Sequence, residues 1–275
     1  MLTAEQRAEF ERTGIIKLEG VFSAAEAARM REVVWSELQR RHGIERDDPT
    51  TWNLHPPTGL KSSKKHHAFA PIFGCTMTDA LDGLFGVDGW VMPKHYGQVL
   101  VTMPNAHEWR VPHRLWHADF QYHTTPDSLF AVKCWALFAD MEPGGGATPQ
   151  LAGSHAAMAR YLEGREGDQR EYKRARDGFL RSHDWLRALL TPDDDPDRNA
   201  RFMNANFDLD GLPVRVIECT GKAGDVYVTH PWVMHTIATN ARSEPRFMRS
   251  MAVYSAAYAA RSASSTGDQR SGSLL

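Results

Sequence analysis

Short runs of β-forming residues fill much of this chain, and they limit the folds that it can adopt. From Gly86 onward, these runs are separated by Gly, Pro and Asn, the residues that favour turns. Many short strands with turn signals between them predict a mainly β fold, a sandwich or barrel, and argue against a βαβ fold. The predicted strands span residues 98–103, 129–138, 214–219, 225–229, 234–238 and 246–254.

The first 45 residues have a different pattern, which predicts helices packed against the sheet. Thr3 and Gln6 have the spacing of a capping box, and they open a short helix that ends before a strand over 15–18. Ser23 and Glu26 repeat that signature at the start of a longer helix. Its apolar positions recur at helical spacing and a glycine ends it: Ala27, Met30, Val34, Leu38 and Gly43.

Residues 161–212 interrupt the strand pattern. The segment is charged, contains one predicted helix over 184–190, and includes an acidic turn at 193–196. Long insertions between strands are usually functional or mobile, so we expect a lid over a site. The Ser/Gly-rich residues 261–275 are expected to be a flexible tail. The whole chain is expected to form one domain.

The composition argues against several classes of protein. The 275 residues carry a formal net charge of -2, which is unlike a broad nucleic-acid surface. The three cysteines are dispersed and predict neither a disulfide framework nor a Cys-x-x-Cys zinc site. No apolar stretch has the length of a signal-peptide core or a membrane span, so we expect a cytoplasmic protein. The oligomeric state has no signature in the sequence.

His117-Ala118-Asp119 is the first candidate for a chemical site. In a strand, residues i and i+2 project from the same face, so this imidazole and this carboxylate can converge on one point. In a chain with 13 histidines, about one such triplet is expected by chance. The pair alone is therefore interpreted more simply as a surface histidine beside a solvated aspartate.

A histidine far downstream strengthens that candidate. Residues 224–235 predict a strand, a turn and a second strand that carries His235. Two imidazoles and one carboxylate make the facial triad of non-haem iron(II) oxygenases, which leaves coordination positions open, whereas zinc prefers a closed or three-histidine shell. His230 competes with His235 for this role, but only His235 has the matching spacing to Arg246.

Arg246 is the third component of the pattern. Residues 240–245 predict a turn between two antiparallel strands, with His235 and Arg246 equally far from its middle. Opposed residues in a hairpin share a face, so we expect the guanidinium on the metal side of the sheet. An arginine there offers bidentate pairing to a carboxylate held beside the metal. On its own, it would be an ordinary surface arginine at a strand start.

With these residues, the chain resembles the phytanoyl-CoA dioxygenase family of 2-oxoglutarate oxygenases over most of its length. The resemblance is carried by the helix–glycine–strand–capped-helix opening, His117-Ala118-Asp119, Trp135, Gly144-Gly145-Gly146-Ala147-Thr148, Gly153-Ser154-His155, and the ending with Gly224-Asp225, His235, Asn240 and Arg246. It implies a double-stranded β-helix (a cupin-like jelly roll) with Fe(II) bound by His117, Asp119 and His235. It also implies that Arg246 binds the far carboxylate of 2-oxoglutarate and that Trp135 lines the same pocket.

The sequence departs from the family at two positions of the cosubstrate pocket. Family members often carry a lysine on the strand before the His-x-Asp triplet, where Thr102 stands here. They also commonly carry a hydroxyl two residues after the distal histidine, where Ile237 stands. Thr102, Gln98 and Thr236 are the candidates for replacing these donors.

The resemblance implies a dioxygenase that uses Fe(II), 2-oxoglutarate and O2 to hydroxylate a small organic metabolite, with decarboxylation of 2-oxoglutarate to succinate and CO2. Asp119 favours hydroxylation, because related halogenases lack this carboxylate and leave room for chloride. Desaturation, cyclisation or epimerisation with the same cofactors stays open. Two further alternatives are a catalytically silent jelly-roll binding protein and a metal isomerase that needs no cosubstrate.

The residues expected to meet the substrate lie around the ligand segments. They are Arg114, Trp116, Phe120, Tyr122 and Trp232. Aromatic side chains in such a fold more often belong to the core. A basic group that could bind an anion is more simply a solvated loop, and it comprises Lys61, Lys64, Lys65, His66 and His67. The expected partner is a small molecule, anionic or CoA-linked as candidate classes, and neither nucleic acid nor a membrane.

Overall fold

A computed structural model describes residues 2–52, 59–122 and 129–268 of the chain. The N-terminal prediction is confirmed: helix α1 (Ala4–Thr13) and helix α2 (Ala24–His42) flank strand β1 (Ile15–Leu18). Both predicted capping boxes are formed, so each helix begins where two backbone donors find side-chain acceptors. Each helix ends at a glycine in the left-handed conformation, Gly14 and Gly43.

The remaining strands form two antiparallel sheets. The first sheet contains β1 together with β2 (Trp90–Val91), β3 (Gln98–Thr102), β4 (Ala131–Leu137), β8 (Val226–Thr229) and β10 (Arg246–Ser255). Its order is β1-β8-β4-β10, and both β2 and β3 pair with the long strand β10. The second sheet contains β5 (Pro149–Ala152), β6 (Phe207–Leu209), β7 (Leu212–Glu218) and β9 (Met234–His235) in the order β6-β7-β5-β9.

Helices make up more of the molecule than the prediction of a mainly β fold allows. The structure is a mixed helix-and-sheet fold, in which the prediction of antiparallel sheets is confirmed. Beyond α2, the helices are α3 (Cys75–Phe85), α4 (Ser154–Tyr161), α5 (Tyr172–Arg181), α6 (Asp184–Leu190), α7 (Arg198–Met203) and α8 (Ala256–Asp268). Short 3-10 turns span Pro49–Thr51, Leu60–Lys65, His67–Phe73 and Gly167–Arg170. None of the helices within the described ranges is both long enough and apolar enough to cross a membrane.

Three clusters of buried side chains define the layers. The first packs α2 and α3 on the outer face of the first sheet and includes Met30 and Val228. Another lies between the two sheets and includes Trp135 from β4 and Ala152 from β5. The third packs helices against the outer face of the second sheet and includes Val214. Because strand residues alternate between faces, each sheet sends one row of side chains into the space between the sheets.

The 161–212 segment is well packed. It forms α5, α6 and α7, and the predicted helix over 184–190 is confirmed at both ends. Phe179, Leu186 and Phe202 from these helices are buried in the cluster behind the second sheet. At the other end of the chain, α8 extends to Asp268, so the first part of the segment expected to be flexible is helical. Its alanines favour a helix, and residues 269–275 lie outside the described part.

Candidate functional site

His117 and His235 form the base of the site. Their backbones make an isolated antiparallel bridge, with hydrogen bonds of 3.0 Å and 2.8 Å between the two amides and carbonyls. Paired residues of a bridge project to one face, and the two ring centroids are 4.4 Å apart. Asp119 joins them, with its carboxylate oxygens 3.7 Å from His117 Nε2 and 3.5 Å from His235 Nε2. The three potential ligand atoms all lie within 4.8 Å of one another.

Each histidine is oriented by its own backbone. The Nδ1 atom of His117 lies 2.7 Å from the carbonyl of Leu115, and that of His235 lies 3.3 Å from the carbonyl of Val233. A carbonyl only accepts, so these contacts require the proton on Nδ1 and leave the Nε2 lone pair pointing into the site. Burial lowers the pKa of His235 to about 4, which keeps this imidazole neutral near pH 7.

Lys133 is a further charged residue at the site. Its Nζ lies 2.5 Å from Asp119 Oδ2 and 5.3 Å from the ring centroid of Trp135. Burial would raise the pKa of Asp119, but the neighbouring imidazole of His235 and the ammonium of Lys133 lower it, so the carboxylate is ionised. The sequence carried a weak signal for this residue, since Lys133 interrupts an otherwise apolar strand.

Arg246 reaches the interior by a different route from the predicted hairpin. β9 pairs with β5 in the second sheet, whereas β10 pairs with β3 and β4 in the first, so His235 and Arg246 are not cross-strand partners. The predicted hairpin was wrong because the chain crosses from one sheet to the other after His235. Arg246 instead lies opposite Thr102 of β3.

The Arg246 guanidinium is buried without an anion. The residue is 6% exposed, and its Nη1 lies 3.4 Å from the Thr148 hydroxyl. Its Nε has no hydrogen-bond partner, and in the described ranges no carboxylate pairs with the side chain. Burial lowers the pKa of Arg246 to about 10, so the group is still charged at neutral pH. Such a group is costly unless an anion pairs with it.

Trp135 and Gln98 lie on the same row of the first sheet. Both are opposite Ser250 of the central strand β10, one on each side. The Trp135 ring centroid is 4.8 Å from that of His235, and its Nε1 donates to the Thr229 hydroxyl at 3.2 Å. Gln98 is exposed, which places it at the open side of the row.

A cavity of about 790 Å³ begins beside these residues. Its wall includes Gln98, Thr102 and Arg246, but not the side chains of the triad itself. The wall also includes Leu115 and Ile237, each two positions along the chain from a triad histidine. The two side chains are 65% and 58% exposed, so they present apolar surface to the cavity.

The outer wall of the cavity is polar. The 161–212 segment contributes Asp193, Asp194 and Arg198 to it. Arg198 is held by carbonyls and by Asp193 at 2.6 Å, and Arg110 donates to the Asp195 carbonyl. Arg114 also lines the cavity and is exposed, with its Nε 2.8 Å from the ring nitrogen of His113.

The other predicted substrate residues are not on the cavity wall. Trp116, Tyr122 and Trp232 are buried in the cluster behind the second sheet, and Phe120 packs on Phe130. The sequence signal for them was proximity along the chain, which does not determine the direction of a side chain outside a regular strand.

Two further candidates also lie away from the cavity. The described part of the basic group around Lys64 is absent from the wall. His230 packs against His155 and Phe10 instead of joining the triad.

The side chains present fit the cofactors of the chemistry predicted from the sequence. Two imidazoles and an ionised carboxylate are the donor set that iron(II) takes in a facial triad. The buried Arg246, which has no anionic partner of its own, fits a dicarboxylate cosubstrate held beside such a metal.

Comparison with solved structures gives neighbours of the same fold at low identity. The carbocyclase SnoK from nogalamycin biosynthesis is 18% identical over 92% of this chain and 84% of its own, with a TM-score of 0.50. HygX from Streptomyces hygroscopicus, solved with nickel and 2-oxoglutarate, is 16% identical over 92% and 87%, with a TM-score of 0.53. EctD from S. alaskensis, solved with 2-oxoglutarate and 5-hydroxyectoine, is 18% identical over 94% and 77%, with a TM-score of 0.52.

Comparison with sequences gives the family. No curated protein matches the chain. The profile described as phytanoyl-CoA dioxygenase (PhyH) matches residues 10–248, which confirms the resemblance predicted from the motifs. The chain therefore belongs to the phytanoyl-CoA dioxygenase family and is an oxygenase that depends on iron(II), 2-oxoglutarate and O2.

Proposed function

We propose that this enzyme hydroxylates a small organic metabolite and couples that reaction to decarboxylation of 2-oxoglutarate to succinate and CO2. The observation that carries the proposal is a pair of features. His117, Asp119 and His235 converge on one point. A buried arginine without an anionic partner forms part of the wall of a cavity that also reaches Leu115 and Ile237, each two positions from a triad histidine.

The proposal assigns a role to each group of residues. His117, Asp119 and His235 hold iron(II), which supplies the oxidising power when bound with its cosubstrates. Arg246 binds the far carboxylate of 2-oxoglutarate, with Thr102 beside it. Trp135 and Gln98 form the wall between that arginine and the triad, and they limit how the cosubstrate lies.

Hydroxylation is favoured over halogenation by Asp119. Its carboxylate is ionised, and its oxygens lie 3.7 Å and 3.5 Å from the Nε2 atoms of His117 and His235. It can therefore fill the coordination position that a halide would need. The apolar surface of Leu115 and Ile237 then meets the C–H-bearing part of the substrate and keeps water from it.

We further propose that the chain folds as a double-stranded β-helix in a single domain. Two antiparallel sheets with a shared buried cluster between them support this assignment. The 161–212 segment is proposed to be the lid of the substrate cavity, because Pro192, Asp193 and Arg198 form part of the wall. The exposed Arg114 on the same wall is proposed to meet an anionic group of the substrate.

The experiment that tests the reaction is incubation with iron(II), 2-oxoglutarate and isotopically labelled dioxygen, with a library of small metabolites. Hydroxylation predicts one labelled oxygen atom in succinate and the other in the hydroxylated metabolite. Loss of two hydrogens or an isomerised product without label would instead indicate desaturation, cyclisation or epimerisation. A turnover that needs no 2-oxoglutarate would contradict the proposal.

A further inference from the structure

We infer that Thr148, which immediately precedes β5, and Gln150 on β5 bind 2-oxoglutarate together with Arg246, as specificity-determining residues that the sequence motifs do not identify. This inference rests on the proposed function, since it needs 2-oxoglutarate to lie beside Arg246. It adds a second wall to the cosubstrate site, which comes from the second sheet.

Thr148 is the hydroxyl that touches the arginine. It is buried, and its Oγ1 lies 3.4 Å from Arg246 Nη1 and 3.4 Å from the Met248 sulfur. A sulfur atom is a weak hydrogen-bond acceptor, so the hydroxyl proton is free to turn to a stronger one. A carboxylate on the guanidinium would be that acceptor, because it would lie within reach of the same hydroxyl.

Gln150 is a buried amide whose hydrogen bonds are incomplete. It is 0% exposed, its nitrogen is 3.1 Å from the Cys219 sulfur, and its Oε1 has no partner. A buried amide with one weak partner and one orphan atom costs free energy that a polar ligand would recover. Rotation of the amide exchanges the two ends, so Gln150 can offer either a donor or an acceptor to that ligand.

The strand register places these two side chains between the arginine and the triad. Gln150 lies directly opposite His235, and continuing that pairing by two residues sets Thr148 opposite Ile237. The pairing extends just past the strand ends, since the Thr236 amide donates to the Pro149 carbonyl and the Cys219 amide donates to the Thr148 carbonyl. Alternate residues of an extended chain share a face, so the hydroxyl and the amide form one polar strip. The strip begins at Arg246 and ends beside a triad histidine. A ligand with one carboxylate at each end, such as 2-oxoglutarate, matches this arrangement.

This strip also accounts for the apolar residue at position 237. Ile237 offers no donor to a carboxylate on Arg246, but Thr148, whose hydroxyl lies 3.4 Å from Arg246 Nη1, does. The hydroxyl therefore comes from the residue before β5 and not from the segment that follows His235. The neighbouring position is then free to present apolar surface to the substrate.

The test is an anaerobic titration of the iron(II)-loaded, full-length protein with 2-oxoglutarate, followed by the visible charge-transfer band of the chelated keto acid. Thr148→Val and Gln150→Met keep the side-chain volume and remove the polar atoms. Each is expected to weaken 2-oxoglutarate binding by about tenfold or more, the effect of losing a hydrogen bond to a charged group. Thr148→Ser, which keeps the hydroxyl, is expected to restore wild-type affinity.

Two comparisons make the result specific. Pyruvate lacks the far carboxylate, so Thr148→Val is expected to leave pyruvate binding unchanged. Thr78→Val on α3 and Gln39→Met on α2 make the same chemical changes on the outer side of the first sheet and are expected to bind both acids like the wild type. Wild-type affinity in Thr148→Val and Gln150→Met, or failure of Thr148→Ser to restore binding, would overturn the inference. Absence of 2-oxoglutarate binding by the wild type would instead overturn the proposed function.

Discussion

The backbones of His117 and His235 exchange two hydrogen bonds, although the residues are far apart in the sequence. This bridge sets the separation of the two imidazoles without help from a metal. Each Nδ1 is tied to a carbonyl two residues upstream, so the Nε2 atoms are preorganised as ligands. The site therefore needs little rearrangement to bind a metal.

The triad predicts which substitutions abolish iron binding. His235→Ala and Asp119→Ala each leave two protein ligands. We expect each to weaken iron(II) binding by more than about 100-fold, which exceeds the effect of losing a residue that only hydrogen-bonds to a ligand. The measurement is iron stoichiometry after anaerobic loading and desalting. His230→Gln is the control, because His230 packs on His155 outside the triad and is expected to leave stoichiometry unchanged. Full iron content in both triad variants would rule out the assigned ligands.

The contact of Lys133 with Asp119 predicts that Lys133 and iron(II) compete for the same carboxylate. The Lys133 ammonium lies 2.5 Å from the Asp119 carboxylate and balances its charge. Without this cation, iron(II) binding should stabilise the folded protein more, because the metal then supplies the positive charge that Asp119 has lost. We expect a larger iron-induced rise in melting temperature in Lys133→Met than in the wild type. A smaller rise would mean that Lys133 instead holds Asp119 in place for the metal.

The half-buried pair of His155 and His230 predicts loss of stability in acid. Burial lowers the pKa of His155 from 6.5 to about 4 and lowers that of His230 well below its usual value. Below pH 6.5 the unfolded chain binds protons at these histidines that the folded protein does not bind. Their contribution to the free energy of unfolding is therefore complete above pH 6.5 and decreases as the pH falls toward about 4.

Urea unfolding from neutral pH down to about pH 4.5 measures this dependence. Each unit of pKa difference corresponds to about 1.4 kcal/mol. His155→Gln, which does not titrate, is expected to flatten the decline relative to the wild type. An equally steep decline in the variant would show that other groups cause it.

The hydrogen bonds of Arg198 predict that this side chain holds the proposed lid, the 161–212 segment, in place. Its guanidinium donates to the carbonyls of Val111 and Leu189 and to Asp193, and it is 2% exposed. Arg198→Met leaves these acceptors unpaired, and we expect it to lower the free energy of unfolding by about 3–5 kcal/mol. The exposed Arg201 on the same helix is the control, since Arg201→Met removes only a surface contact with Phe202. Equal unfolding free energies for the two variants would contradict this role.

Local signals in the sequence predicted local structure well. Capping pairs such as Thr3 with Gln6 predicted both N-terminal helices, because these hydrogen bonds form between residues three positions apart. The family motifs predicted the triad, whose members the structure brings together. Helix α5 was missed, although its buried residues Ala175, Phe179 and Leu180 have helical spacing, because the charged segment around it has few apolar residues.

The parts that the sequence did not predict depend on contacts between distant segments. The spacing of His235 and Arg246 suggested a hairpin, but β9 and β10 belong to different sheets. Lys133 meets Asp119, and Thr148 meets Arg246, across sheet pairings that no local pattern specifies. Register between strands is fixed by the packed core, so these neighbours become visible only in the folded chain.

The most direct test of the central claim is an anaerobic titration of the iron(II)-loaded wild type with 2-oxoglutarate, next to Arg246→Met and Arg249→Met. Arg249 is a buried arginine on the opposite face of β10, where it stacks on Phe69. We expect a saturable charge-transfer band in the wild type and in folded Arg249→Met. In Arg246→Met the affinity should fall by about 1.5–3 kcal/mol, the value of a hydrogen bond to a charged group. Bound iron without a band in the wild type, or unchanged affinity in Arg246→Met, would contradict the account.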